Sequence, residues 1–320
     1  MRVLIYGGGA VGLGLASFLM QSGAKASIIA RDSTVSALRE HGLRRMGIFG
    51  EHNAAPGAFD CGVALEQLNP ATRYDYTLVC VKSFDTTPAG RAFAAAPGGA
   101  ERFGNFVLCQ NGWGNREAFE TALPDATIYN ARVITGFKRL EPWQVEITVH
   151  AQDVTVGGLR GEALDAVRPL CEALSASGLP SSVTPHIERD LWAKMLYNCS
   201  LNPLGALFGV PYGALAECEE SRAVMDEAHE EIFVVMAAAG YATHWPDAAA
   251  YQRDFYAELV PATARHHSST LQDIRAGKRT EIDALNGAVV CLGEQCGVNV
   301  PVNRTLHRLV KFLEARGRAD

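Results

Sequence analysis

The sequence predicts an α/β protein with an N-terminal doubly wound parallel sheet and a C-terminal all-α domain. Strand-like and helix-like segments alternate in the first half, a glycine-rich turn follows the first strand, and the apolar spacing becomes helical from about residue 187. Domains usually have about 100–200 residues, so a chain of 320 residues is long enough for two domains. We place the first domain at residues 1–184 and the second at residues 185–320.

Short, nearly continuous apolar runs predict the strands, because parallel strands are covered by helices on both faces of the sheet. The predicted strands are Arg2–Tyr6, 26–30, 76–81 and 106–109. The helix-like segments that alternate with them are 11–21, 86–95 and 115–122. This alternation predicts parallel pairing, since parallel neighbours need a crossover connection that is usually a helix.

The segment 144–150 has a different pattern. Its apolar residues Val145, Ile147 and Val149 alternate with polar ones, which is typical of a half-buried strand. A second short strand is predicted at 154–157. We expect the two to form an antiparallel hairpin at the edge of the sheet.

Helical periodicity characterises the second domain. Apolar residues three or four positions apart predict the buried face of a long helix, and they are Met225, Ala228, Ile232, Val235 and Ala239. Further helical segments accompany it. The expected breaks between them are Pro211, Pro246, Gly277 and Pro301.

Composition and charge exclude several classes of function. Hydrophobic residues make up 48% and charged residues 20%, which is typical of a globular protein. The net charge of −6 argues against a nucleic-acid binder that works through bulk positive charge. We expect no membrane span, because the apolar runs are short or interrupted. A strand begins at Arg2, so we also expect no signal peptide and a cytoplasmic location.

The eight cysteines and nine histidines predict neither a disulfide nor a metal site. The cysteines are scattered without a Cys-x-x-Cys pair, so we expect small, buried, reduced side chains. Cys199 has no histidine close in sequence to act as its base, which argues against a nucleophile. His229-Glu230 begins a zinc-protease-like pattern, but Phe233 stands where the second histidine is needed.

The turn after the first strand carries a Gly-x-Gly-x-x-Gly motif. It consists of Gly7, Gly8, Gly9, Ala10, Val11 and Gly12. The first glycine allows a tight turn, the second lets the backbone approach a pyrophosphate, and the third allows close helix–strand packing. With a strand before it and a helix after it, the motif predicts a Rossmann-like dinucleotide-binding domain.

Arg31 and Asp32 follow the second strand. In dinucleotide-binding domains, the residue at this position distinguishes NAD from NADP. An acid there would bind the ribose 2′-hydroxyl of NAD, whereas an arginine would bind the 2′-phosphate of NADP. Spacing alone permits either. Because Asp32 begins an Asp-Ser-Thr run typical of a helix N-cap, we assign Asp32 to the cap and Arg31 to the phosphate.

Lys194, Asn198 and Asn202 recur every four residues and therefore lie on one face of a predicted helix. Asparagine is a poor helix former, so two of them among Leu, Trp and Met need an explanation. Either the face is a solvated stripe, or it lines a cleft in which Lys194 supplies a proton. The segments 268–273 and 278–283, taken alone, are typical of a helix N-cap and an ordinary charged helix.

In combination, these motifs resemble the ketopantoate reductases (2-dehydropantoate 2-reductases). The resemblance spans about residues 3–312 and rests on the order and spacing of motifs in both domains. Besides the glycine turn, the matching residues are Arg31, Val81-Lys82, Gln110-Asn111-Gly112, Lys194, Asn198, Asn202-Pro203, Ser268-Ser269, Leu271-Gln272-Asp273 and Thr280-Glu281-Ile282-Asp283.

The resemblance implies that NADPH reduces the keto group of 2-dehydropantoate, giving pantoate for coenzyme A synthesis. By position, Arg31 and Lys82 would flank the adenosine phosphate, and Asn111 would lie near the nicotinamide ribose and the substrate. Lys194 would be the proton donor, since an ammonium stabilises and protonates the alkoxide that hydride transfer creates. Glu281, the second catalytic residue, would hold cofactor or substrate near the reacting centre. The implied substrate ligands are Lys194, Asn111, Asn198, Asn202 and Ser269.

Two positions depart from the family pattern. Tyr212 and His266 stand where some members have asparagines that contact substrate, and the segment 130–142 also differs. The identity of the 2-oxo acid therefore stays open, and another 2-oxo acid is the alternative. A non-catalytic NADP(H)-binding sensor and a β-hydroxyacid or opine dehydrogenase are further alternatives. The dehydrogenase would usually need a catalytic histidine, and none lies on the Lys194 face.

We expect the site in a cleft between the domains, at the carboxyl ends of the parallel strands. The expected partner is a small-molecule 2-oxo acid, with no nucleic acid, membrane or metal involved. The all-α domain could form a homodimer, and a monomer is equally compatible with the sequence.

Overall fold

The computed structural model describes residues 1–316, which form two compact units. The first unit comprises residues 1–110 and 115–187. The second comprises the short segment Asn111–Gly114 and the chain from residue 188 onward. The segment Asn111–Gly114 therefore belongs to the second unit, although the chain on both sides of it belongs to the first. Sequence patterns did not indicate this.

Twelve strands, β1 to β12 in chain order, lie within residues 1–316, all of them in the first unit. They are Arg2–Tyr6, Lys25–Ile29, Leu43–Gly47, His52–Ala54, Asp60–Gly62, Tyr76–Val79, Asn105–Leu108, Ile128–Arg132, Thr135–Glu141, Gln144–His150, Val154–Gly157 and Ser181–Val183. Eight form one sheet in the order β12-β11-β8-β7-β6-β1-β2-β5. The other four form a second sheet in the order β4-β3-β10-β9.

The large sheet has the doubly wound order that the sequence predicted. β1 pairs in parallel with β2 on one side and with β6 on the other. Val3, Leu4 and Ile5 in β1 are completely buried, as expected for a central parallel strand. The strand order reverses direction at β1, so its carboxyl end lies at the switch point where open α/β sheets bind ligands.

Thirteen α-helices, α1 to α13, lie within the same residues. Those of the first unit are Ala10–Gln21, Asp32–His41, Thr86–Ala95, Asn115–Glu120 and Arg168–Ala176. The remaining helices, α6 to α13, are Ile187–Phe208, Tyr212–Glu217, Glu219–Ala239, Ala248–Asp254, Val260–Ala262, Ser269–Arg275, Asn286–Cys296 and Pro301–Arg316. A π-helical turn, Phe255–Leu259, joins α9 to α10. As far as residue 316, the second unit contains helices and turns but no strand, so the predicted all-α domain is confirmed.

The predicted hairpin of 144–150 with 154–157 is wrong. β10 pairs antiparallel with β9 and parallel with β3 in the small sheet, whereas β11 pairs antiparallel with β8 in the large one. Val145 and Ile147 are completely buried, so the alternation correctly indicated a strand with one buried face. Alternation reports which face is buried but not which strand lies beside it.

The prediction that Asp32 caps α2 is also wrong. The helix begins at Asp32, and the N-cap position is Arg31, whose side chain makes no capping hydrogen bond. Asp32 lies in the first turn, where a carboxylate interacts favourably with the helix dipole. An acid is favourable at either position, so the residue type alone did not distinguish them.

The eight cysteines are all free, but the expected burial is wrong for three of them. Cys291 and Cys296 are exposed on α12, and Cys218 is exposed at the N-cap of α8. Cys199 is completely buried, and burial raises the pKa of its thiol well above the usual value. A thiol that stays protonated is a poor nucleophile, in agreement with the sequence-based expectation for Cys199.

Neither a membrane span nor a metal cluster is evident in residues 1–316. No helix in this range is long and apolar enough to cross a membrane. No group of three or more His, Cys, Asp or Glu side chains in it could hold a metal ion. His229 lies buried between the rings of Tyr251 and Phe255, and this burial lowers its pKa to about 3.

Pro203 lies inside α6, the helix that carries the predicted polar face. Because proline has no N–H, the carbonyl of Cys199 four residues earlier loses its helical donor. Asn286 on α12 replaces that donor, since its Nδ2 lies 2.9 Å from the Cys199 carbonyl oxygen. The same Nδ2 donates to Oδ1 of Asn303 on α13 at 3.0 Å. The carbonyl left by Pro203 is therefore satisfied inside the protein, and α6 runs from Ile187 to Phe208.

Candidate active site

The glycine-rich turn lies between the carboxyl end of β1 and the start of α1. Gly7 has a φ of +121°, a backbone conformation that residues with a side chain rarely adopt. A Cβ at Gly12 would lie 2.0 Å from the Gly7 carbonyl oxygen, which is too close. A Cβ at Gly9 would meet no atom of the chain within 4 Å. The chain's own packing therefore requires glycine at positions 7 and 12 but not at position 9. Lys82 follows β6, the neighbour of β1, at the same edge of the sheet.

A second arginine accompanies Arg31 at the start of α2. Arg139, from β9, donates through Nη2 to Oγ1 of Thr34 in the first turn of α2, at 2.7 Å. Burial and the charge of Arg31 together lower the pKa of the Arg139 guanidinium, so the two cations lie close enough to repel. Thr34 also borders the glycine turn, because a Cβ at Gly8 would lie 3.1 Å from its Cγ2.

Arg139 was not among the residues that the sequence predicted for the site. It lies in the segment 130–142, which differs from the family pattern, and that difference was the only signal available. More than a hundred residues separate Arg139 from Thr34. Their contact depends on the small sheet, in which β9 pairs with β10, and no local pattern predicted that pairing.

Three predicted site residues form a hydrogen-bonded row within the second unit. Nζ of Lys194 donates to Oδ1 of Asn111 at 2.6 Å, and Nδ2 of Asn111 donates to Oε2 of Glu281 at 3.1 Å. The two bonds fix the orientation of the amide, because its nitrogen serves the carboxylate and its oxygen faces the ammonium. Glu281 is buried and Lys194 is half-buried. The row thus links a cation to an anion through a neutral amide.

The backbone around Asn111 is held by the turn that carries Glu281. The N–H of Trp113 donates to the carbonyl of Ala284 at 2.9 Å. Gly112 has φ of +90°, and a Cβ there would lie 2.5 Å from the same carbonyl oxygen. The Gln-Asn-Gly motif therefore needs its glycine for a close backbone approach, which brings the Asn111 side chain within reach of Glu281.

The other two residues of the polar face are buried, so the solvated-stripe interpretation is wrong for them. Asn198 is 8% exposed and Asn202 is 3% exposed. Tyr212 donates through Oη to Oδ1 of Asn202 at 2.6 Å. His266 lies against Tyr212, with 5.3 Å between ring centroids, and burial lowers the pKa of this imidazole. Both residues that depart from the family pattern are therefore neighbours, and one of them binds Asn202.

Ser268 is the N-cap of α11, in agreement with the sequence pattern. Its Oγ accepts from the N–H of Leu271 at 3.0 Å and donates to the carbonyl of Asn202 at 3.2 Å. Ser269 is the first residue of the helix. The segment 278–283 is not the charged helix that its pattern suggested, because α11 ends at Arg275 and a turn follows.

Comparison with known proteins agrees with these features. A family model described as ketopantoate reductase PanE/ApbA matches residues 3–161, and the model of its C-terminal part matches residues 186–314. The chain belongs to the ketopantoate reductase family. A 2-dehydropantoate 2-reductase of Aquifex aeolicus is 34% identical over 315 residues, which cover 98% of this chain and 97% of the relative.

Solved structures show the same architecture. The PanE/ApbA family ketopantoate reductase from Ralstonia eutropha JMP134 has a TM-score of 0.83 and 30% identity, with 99% of this chain and 100% of that chain covered. A D-mandelate dehydrogenase with NADH and anilino(oxo)acetate has a TM-score of 0.87 at 22% identity, with coverage of 99% and 100%, and shows the shared fold alone. The predicted family and enzyme class, an NAD(P)-dependent oxidoreductase, are confirmed.

The two outer glycines of the turn differ from the middle one in a way that stability measurements can detect. Gly12→Ala places a methyl group against the Gly7 carbonyl, so we expect a lower thermal midpoint, with a loss of about 1–3 kcal/mol in the free energy of unfolding. Gly9→Ala meets open space and should leave the midpoint nearly unchanged. Thermal unfolding followed by circular dichroism checks both, and equal midpoints for the two variants would contradict the packing described.

Proposed function

We propose that this protein reduces the keto group of 2-dehydropantoate to the hydroxyl of pantoate, with NADPH as hydride donor and Lys194 as proton donor. The observation that carries the proposal is the row Lys194–Asn111–Glu281, which holds an ammonium in a defined position. The likeness to a 2-dehydropantoate 2-reductase over nearly the whole chain supports the substrate.

The residues of the row have distinct tasks in this reaction. When bound, NADPH supplies the hydride. The ketone oxygen gains negative charge during reduction, and an ammonium beside it stabilises that charge and donates the proton. Asn111 occupies one N–H of Lys194, which orients the remaining protons. Glu281 keeps the Asn111 amide from turning, so the lysine always faces an acceptor oxygen.

The first unit fits a phosphorylated dinucleotide. The open space at Gly9, at the N-terminus of α1, leaves room for a pyrophosphate to approach the backbone N–H groups. Arg31 lies at the start of α2 and Arg139 binds Thr34 in its first turn, so both positive charges would attract an anion at this end of the helix, such as a 2′-phosphate. These features support NADP over NAD, with Lys82 as a further cation at the same edge of the sheet.

A second candidate is the reduction of a different branched 2-oxo acid that lacks the terminal hydroxyl of 2-dehydropantoate. The observation that favours it is the bond from Tyr212 to Asn202, which already uses one of the two acceptor positions on an amide oxygen that a substrate hydroxyl could bind. Asn198 and Ser269 stay proposed substrate ligands in either case.

An assay with purified protein, NADPH and a panel of 2-oxo acids decides between the two substrates. The decrease in nicotinamide absorbance measures the rate of reduction of each acid. A clearly higher kcat/KM for another acid would replace 2-dehydropantoate as the substrate.

Cofactor preference should depend on the arginine pair. Charge-assisted bonds to a 2′-phosphate are worth roughly 1.5–3 kcal/mol, so NADPH should bind about 10–100-fold more tightly than NADH. Arg31→Ala and Arg139→Ala should each remove most of that preference while changing NADH affinity little. Lys138→Ala is the matched control, because this exposed neighbour pairs with Glu146 instead. Titration of protein fluorescence measures the affinities, and equal affinity for both cofactors in the unmutated protein would reject the assignment.

Loss of the ammonium should affect turnover more than cofactor binding. Positioned acid catalysis is worth about 10²–10⁴ in rate, so Lys194→Ala should lower kcat by about that factor. The affinity for NADPH should change little, because the residues proposed to hold its phosphates lie in the first unit. Lys25→Ala, at an exposed position of β2, serves as the control. A variant that turns over at the unmutated rate would show that another group supplies the proton.

A further inference from the structure

The turn that carries Glu281 is fastened to α13, the C-terminal helix, by a buried carboxylate. The backbone N–H and the Oγ1 hydroxyl of Thr280 both donate to Oε1 of Glu314, each at 2.7 Å. Oγ1 of Thr280 also accepts from the N–H of Ile282 at 3.2 Å. Thr280, Ile282 and Glu314 are all buried. These bonds constrain the backbone on both sides of Glu281.

A second set of bonds to α13 holds the turn just after Glu281. Oδ1 of Asp283 lies 2.8 Å from Nε2 of His307, and its Oδ2 accepts from Nζ of Lys311 at 3.0 Å. Lys311 also lies 2.9 Å from Oε2 of Glu314. Lys311 of α13 thus bridges the carboxylate of Asp283 in the turn and that of Glu314 on its own helix. Hydrogen bonds from His307 and Lys311 keep the pKa of Asp283 well below its usual range, so this carboxylate stays charged.

The fastened turn is directly connected to the proposed proton donor. Its residue Glu281 binds Asn111, which in turn binds Lys194, and Ala284 of the same turn binds the backbone of Trp113. Contacts therefore run without interruption from α13 through the turn and Asn111 to the ammonium. All of these groups lie in the second unit.

The attachment of α13 does not rest on Glu314 alone. The helix already packs through apolar side chains such as Leu306 and Val310, which are buried. Taking a carboxylate out of water costs several kcal/mol, and bonds that satisfy it offset this cost without making it a strong source of stability. A buried acid that accepts two hydrogen bonds from one residue of a turn restricts the conformation of that turn.

We propose that Thr280 and Glu314 are positioning residues for the reaction, acting on Lys194 through Glu281 and Asn111. They fix the turn so that the Glu281 carboxylate meets the Asn111 amide and the amide oxygen faces the ammonium. The inference rests on the proposed function, since it assumes that Lys194 is the proton donor. Neither residue contacts the ammonium itself.

Thr280→Val is the test, because valine keeps the shape and the backbone N–H but removes both Oγ1 bonds. A small misplacement of a catalytic group can cost up to about 10²-fold in rate, so we expect kcat to fall roughly 10–100-fold with 2-dehydropantoate. The dissociation constant for NADPH should stay nearly the same. Thr280→Ser retains a hydroxyl and should restore most of kcat. Thr305→Val makes the same exchange on an exposed part of α13 and should have no effect.

A double-mutant cycle separates positioning from general destabilisation. If Thr280 acts through Lys194, Thr280→Val should cause little further loss of kcat in the Lys194→Ala background. An equal fold-loss in both backgrounds, or an unchanged kcat for Thr280→Val, would overturn the proposal. Thermal midpoints by circular dichroism set an assay temperature at which every variant is folded. If the unmutated protein reduces no 2-oxo acid, the proposed function fails instead, so the two failures are distinguishable.

Discussion

The hydrogen bond between Lys194 and Asn111 is the interaction on which the proposed chemistry depends. A lysine side chain is long and flexible, with about 2 kcal/mol of rotamer entropy to lose when it is fixed. Asn111 can hold it because the asparagine is itself fixed twice, by the Glu281 carboxylate and by the close approach of Gly112 to Ala284. The second unit therefore supplies the ammonium, its acceptor and the support for that acceptor.

Buried polar groups carry much of this support, although the unit is held together by an apolar core. Pro203 leaves one carbonyl of α6 without its helical donor, and Asn286 binds that carbonyl instead. Asn303 connects the same amide to α8, because its Nδ2 donates to the carbonyl of Ala228. Such bonds contribute modestly to stability, but each requires one geometry, and an uninterrupted α6 carries Lys194.

In the first unit, the glycine turn and two arginines leave the backbone accessible to a negatively charged ligand. Gly7 and Gly12 make the turn at the end of β1 compact, and Gly9 leaves the N-terminus of α1 accessible. Arg31 and Arg139 bring two positive charges to the start of the next helix. The repulsion between them is tolerable in a protein whose proposed cofactor places a phosphate there.

The sequence by itself determined the features that depend on neighbours in the chain. The strand–turn–helix at Gly7–Gly12, the parallel sheet, the all-α second domain and the one-faced spacing of Lys194, Asn198 and Asn202 all follow from local residue types and periodicity. The tertiary structure decided which segments meet. It placed β10 and β11 in different sheets and brought Arg139 to α2. It also joined Asn111 to Lys194 and Glu281, and bound Glu314 to Thr280. Periodicity shows that a face is buried, but the partner that buries it is selected by packing across the whole chain.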